Sequence, residues 1–97
     1  MITATFKKKN NRFIGYEIKG HANYAPKGHD IVCAGVSALV ITISEALSIQ
    51  SRIINNNSFF VEIIEFDKKG DILSDLLFSG LKQIELIYPN YIKIKVI

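Results

Sequence analysis

The chain has one cysteine, no tryptophan, two prolines, two histidines and two arginines among its 97 residues. A single cysteine excludes an internal disulfide, and Cys33 with His21 and His29 falls short of the four ligands of a structural zinc site. No metal and no cofactor is expected. Long apolar runs are also missing: the longest stretch free of charge, Ile31 to Ser44, has 14 residues, against roughly 18 for a bilayer crossing. The beginning, MITATFKKKN, lacks the order of a secretion signal, in which basic residues precede an apolar run and a small-residue cleavage site. The protein is therefore expected in the cytoplasm and away from membranes. Extremes of charge are absent as well, the net value being +3.

What is present is ordinary globular material, 48% apolar and 22% charged, in a length suited to one small domain with one core. Ile2, Ala4 and Phe6 alternate with Thr3, Thr5 and Lys7, and Ile14, Tyr16 and Ile18 repeat that period of two. Both segments read as half-buried strands, joined at the polar turn KKNN. After Gly20 the pattern breaks into a loop with Pro26 and Gly28. Val32, Val36, Leu39, Val40, Ile43 and Leu47 then recur at helical spacing and predict a helix over about 31 to 49. RIINNNSFFVEIIEF reads as a short strand, an Asn-rich turn and a longer strand from Phe59 to Phe66. Leu73, Leu76, Leu77, Leu81, Ile84 and Ile87 mark a second amphipathic helix, starting near Asp71 and stopping before Pro89. Ile92, Ile94 and Val96 form a last alternating strand. The order ββαββαβ predicts an α+β domain, two helices packed on a mostly antiparallel sheet.

Both histidines, the cysteine and three of the six glycines fall in one stretch, GHANYAPKGHDIVCAGVSAL, from Gly20 to Leu39. Asp30 suits a helix N-cap, its carboxylate accepting from the amide of the third helical residue, Cys33. The thiol then sits in the first helical turn, where exposed amides and the positive end of the helix dipole favour a thiolate, while the Asp30 charge opposes it. Ser37, four residues on, shares the Cys33 face of the helix and offers a hydroxyl to the thiolate or to a substrate carbonyl. His21 ends the second strand, so the intervening loop can return it to Cys33 as a base beside a nucleophile. On residue types alone the bland reading stands beside this one, because a lone cysteine is commonly a small buried residue. His29 is the rival base, next to the cap and facing solvent. Lys7, Lys8, Lys9 and Arg12 at the hairpin tip read as a solvated charge run, and direct nucleic-acid binding is not expected.

The pattern G-H-A-x-Y-A-x-x-G-x-D-I-V-C-A-G-V-S-A-L resembles the signature of the bacterial ribosomal-processing cysteine proteases, the Prp family. The likeness extends more weakly over nearly the whole chain, including GLKQIELIYPNYIKI. The resemblance implies that residues 1–97 form a single cysteine-protease domain. Its nucleophile would be Cys33 and its histidine partner His21. Asp30 would orient His21, cap the helix, or do both, and Ser37 would support. It also implies a cytoplasmic homodimer that removes the N-terminal extension of large-subunit ribosomal protein twenty-seven during ribosome assembly, cutting after apolar and aromatic residues. In that family the loop moves over the site, and Gly20 and Gly28 are suited to be its hinges. Amides at the helix start would then receive the oxyanion. The segment RIINNNSF is shorter than its counterpart in the family, so a reduced or missing third strand is expected. The other class open to the sequence is a non-catalytic, ribosome-associated binding module that uses the basic hairpin and leaves Cys33 buried.

Overall fold

Strands β1 (Ile2–Lys9) and β2 (Arg12–Lys19) form an antiparallel hairpin whose two-residue turn is Asn10–Asn11. Both asparagines have positive φ, 53° and 64°, the left-handed pair that matches the twist of adjoining strands and that Asn tolerates well. The pairing register shifts between Lys7 and Lys8, a bulge that re-aims the hairpin tip. The computed structural model describes residues 1–97.

Helix α1 (Ile31–Ala46) follows the loop, then a 3-10 turn (Ser48–Gln50), strands β3 (Ser51–Asn55) and β4 (Phe59–Ile63), helix α2 (Lys68–Ile87) and strand β5 (Ile92–Val96). The expected order ββαββαβ is present. The sheet runs β3-β4-β2-β1-β5, antiparallel throughout except that β5 lies parallel to β1. The helices cover one face. Ile2, Ala4 and Phe6 of β1, Tyr16 of β2 and Val61 of β4 are buried against Val32, Val36 and Val40 of α1 and Leu77 and Leu81 of α2. Phe6 is the hub, with Phe13, Tyr16 and Phe78 ring centroids at 5.2, 5.4 and 5.3 Å.

Four features differ from expectation, and each has a visible cause in the contacts. The third strand is complete: all five residues of β3 pair with β4, from Ser51 opposite Ile63 to Asn55 opposite Phe59, and an Arg52–Glu62 ion pair of 2.6 Å spans the two. β4 ends at Ile63 rather than Phe66 because the amides of Ile64 and Glu65 both donate to the Gln50 carbonyl, at 2.9 and 3.1 Å, which draws the chain off the ladder. The first helix ends at Ala46 and tightens into the 3-10 turn, which delivers Gln50 to that position. α2 begins at Lys68, three residues before Asp71, because Asp67 caps it. Asp67 Oδ1 accepts from the Gly70 amide at 2.7 Å and from Gln50 Nε2 at 2.9 Å. In α2 the buried line runs through Gly70, Ser74, Leu77 and Leu81, while Leu76 and Ile87 of the expected stripe face solvent.

Candidate active site

The loop between β2 and α1 is shaped from both ends. At Gly20 the chain takes φ +90° and passes so close to the Met1 carbonyl oxygen that any Cβ would collide with it. Gly28 has the same φ with open space around it. Between them Ala22 is buried, Asn23 is left-handed at φ 57°, and a His29 amide to Pro26 carbonyl bond of 2.9 Å closes a turn before the helix.

Asp30 occupies the N-cap with extended backbone angles, and its Oδ1 accepts from the Cys33 amide at 2.9 Å. Its Oδ2 accepts from the Tyr24 amide at 3.0 Å. The carboxylate therefore caps the helix and ties down the loop at once, with both oxygens engaged by backbone amides. The Cys33 amide, opposed by partial burial and aided by the Tyr24 amide, holds the Asp30 carboxyl below its ordinary value; donors that prefer the charged form act in this direction.

Cys33 is half-buried. The Ala22 amide lies 3.4 Å from its sulfur, pointing as donor to acceptor, and such a donor stabilises negative charge on sulfur. Nothing in the composition or spacing singles out this amide; the signal was only that Ala22 follows His21. His21, Asp30, Cys33 and Ser37 line one open cleft of about 520 Å³, together with Lys27 and Gly28. His29 and Gly20 lie outside that lining. The helix-start amides are less available than the sequence suggests: that of Cys33 is held by Asp30 Oδ1, and that of Ala34 by the Asp30 carbonyl at 3.0 Å. No group of three or more His, Cys, Asp or Glu residues is placed to hold a metal ion. No helix is long and apolar enough to cross a membrane. Of the basic hairpin residues, Arg12 is drawn onto Asp71 at 2.9 Å and Lys8 lies 4.8 Å over the Phe13 ring.

A half-buried thiol in the first turn of a helix, with an imidazole lining the same open cleft of a small α+β sheet protein, is the equipment of a cysteine-dependent hydrolase. Comparison with known proteins narrows the class. A sequence model described as cysteine protease Prp matches residues 1–93, and the chain belongs to this family of cysteine proteases. The ribosomal processing cysteine protease Prp of Bacillus subtilis (strain 168) is 46% identical over 41 residues, which cover 41% of this chain and 37% of that protein. The crystal structure of the ribosomal processing protease Prp from S. aureus with a covalently linked product peptide superposes with a TM-score of 0.90 at 24% identity, covering all of both chains. The S. aureus protease with a substrate peptide gives 0.87 at 22% identity, again over all of both chains. SMU.848 from Streptococcus mutans gives 0.79 at 24% identity, over all of this chain and 94% of that one. At these identities the three solved structures speak for the fold.

Proposed function

We propose that the protein is a cysteine endopeptidase of ribosome assembly that removes the N-terminal extension of large-subunit ribosomal protein twenty-seven, with Cys33 as nucleophile and His21 as its base. The observation that carries the reading is the shared cleft, in which His21 and Cys33 both line the wall and the Ala22 amide meets the sulfur at 3.4 Å. The family's description as a protease, and the names of the B. subtilis and S. aureus proteins as ribosomal processing proteases, support the substrate class.

In this reaction His21 takes the Cys33 proton, and the thiolate attacks the scissile carbonyl carbon to form a tetrahedral adduct. His21 returns the proton to the leaving amine as the C–N bond breaks. The leader remains as a thioester on Cys33. Water, deprotonated by His21, then attacks that thioester and releases a free carboxylate. Asp30 acts on the geometry by capping α1 beneath Cys33 and fixing the loop that carries His21. Ser37 supports from the cleft wall, and Gly20 and Gly28 frame the loop as hinges. An extended leader peptide suits an open cleft, because it offers side chains and backbone groups but no fixed surface. The enzyme works as a cytoplasmic homodimer and as a single domain over residues 1–97.

The test is incubation of the protein with the N-terminally extended ribosomal protein, followed by mass measurement. Release of one N-terminal fragment by the wild type, and none by His21→Ala, is expected. An uncleaved precursor with wild-type enzyme, or unimpaired cleavage by His21→Ala, would overturn the assignment.

A further inference from the structure

One side chain of the loop that carries His21 reaches across to the far end of the fold. The Tyr24 ring stands edge-on against two others, Tyr88 at 5.5 Å and 83° and Tyr91 at 5.1 Å and 75°. Those two belong to the end of α2 and the entry to β5, more than sixty residues away in sequence. Edge-to-face pairs of this kind add attraction beyond simple burial. The residue is nevertheless 40% exposed, and no hydrogen bond of its hydroxyl contributes to the fold, so its work is done by ring contact.

The backbone of the same residue is fixed as well, its amide donating to Asp30 Oδ2 at 3.0 Å. Two residues earlier is the Ala22 amide, aimed at the Cys33 sulfur at 3.4 Å. The segment therefore has four attachments: the Ala22 methyl in the core, an amide on the thiol, an amide on the helix cap, and a ring in an aromatic corner. Positive-φ glycines stand at Gly20 and Gly28 on either side. With those ends conformationally permissive and no strand or helix between them, the position of the Ala22 amide depends on the attachments rather than on regular structure.

We propose that Tyr24 is a positioning residue for the reaction: seated between Tyr88 and Tyr91, its ring holds the Ala22 amide on Cys33 and so sets how well negative charge is stabilised on that sulfur. This rests on the reading of Cys33 as the reacting thiol. A loop lifted from the aromatic corner withdraws the donor while leaving the cap, the helix and the thiol in place.

The experiment is the rate of Cys33 alkylation by iodoacetamide at about pH 7 and at about pH 10, where an ordinary thiol is deprotonated. The high-pH rate carries both access and the intrinsic nucleophilicity of the thiolate, and these cancel in the ratio of the two rates, which isolates charge stabilisation. A charge-assisted hydrogen bond is of the size that makes a roughly tenfold difference. Tyr24→Ala is expected to lower the ratio by that order, with an unchanged circular dichroism spectrum, and Tyr24→Phe to restore it. Tyr91→Ala should lower the ratio too, and the double variant with Tyr24→Ala should show less than the product of the two effects. A wild-type ratio in Tyr24→Ala, a Tyr24→Phe variant as impaired as Tyr24→Ala, or fully multiplicative effects would overturn the proposal. If the ratio falls as expected while the wild type cleaves no leader, the positioning role stands and the protease assignment fails.

Discussion

Asp30 shows how much one side chain can settle. Its sequence position beside a helical pattern made it legible as a cap, and the Cys33 amide bond is the predicted one. Its second task was not legible, because the Tyr24 amide reaches it only through the fold of the loop. Asp30, Asp67 and Glu85 all have carboxyls held below their ordinary values of 3.8, 3.8 and 4.5. The leading cause is the Cys33 amide for Asp30, the Gln50 side chain for Asp67 and the Ile94 amide for Glu85. On acidification the unfolded chain takes up these protons first. Their stabilisation is therefore complete above the ordinary values and is lost as the pH falls through the lower, folded ones. Thermal midpoints measured from neutral pH down to about pH 3 should fall below about pH 4.5, and less steeply in Asp30→Asn. An identical acid slope in that variant would count against the role of Asp30. Gly20 is a poor place to test a hinge, since Gly20→Ala meets the Met1 carbonyl. Gly28→Ala has the room, but at φ +90° it strains the backbone and should shift the loop from its resting position and slow leader cleavage at constant alkylation, read as turnover of a leader peptide.

Among elements, periodicity predicted the kind and order of the helices and strands, because alternation and helical spacing are properties of contiguous residues, whereas the third strand, expected to be reduced or missing, is complete. Boundaries were less legible where a distant residue sets them. The end of β4, the 3-10 turn after α1 and the early start of α2 all trace to Gln50, whose carbonyl and side chain bind Ile64, Glu65 and Asp67. No pattern around Gln50 announces partners fourteen to seventeen residues on. The parallel placement of β5 against β1 likewise depends on topology, not on the local sequence of β5. The helix–sheet join has one polar contact in the core, between the Tyr16 hydroxyl on β2 and Ser44 Oγ on α1 at 2.7 Å. Burial pushes the Tyr16 hydroxyl up to about 12, so it remains protonated and hydrogen-bonded throughout the useful pH range. Ser44→Ala should cost about 1–3 kcal/mol in denaturant unfolding by stranding that hydroxyl, and Tyr16→Phe added to it should recover part of the loss. Simple additivity of the two variants would show that the pair is not coupled.

For the whole molecule, the question is what covers α1. Of its crowded apolar residues, Val32 and Val40 are buried and Leu39 and Ile43 pack on the core, but Ile31 and Ile41 are 55% and 63% exposed on the side that also carries Ala34 and Ala38. That side adjoins the cleft face of Cys33 and Ser37, which places the proposed dimer contact next to the site. Light scattering at micromolar concentration should give twice the chain mass for the wild type and the chain mass for Ile41→Glu. A wild-type monomer would remove the dimer from the account. Covalent catalysis by Cys33 is read from the mass of the intact protein during turnover of a leader peptide. A transient adduct on Cys33, equal to the N-terminal fragment less one water, is expected to form and decay to free enzyme, and to be absent, along with cleavage, from a folded Cys33→Ala variant. Cleavage that persists in that variant would contradict covalent catalysis by Cys33.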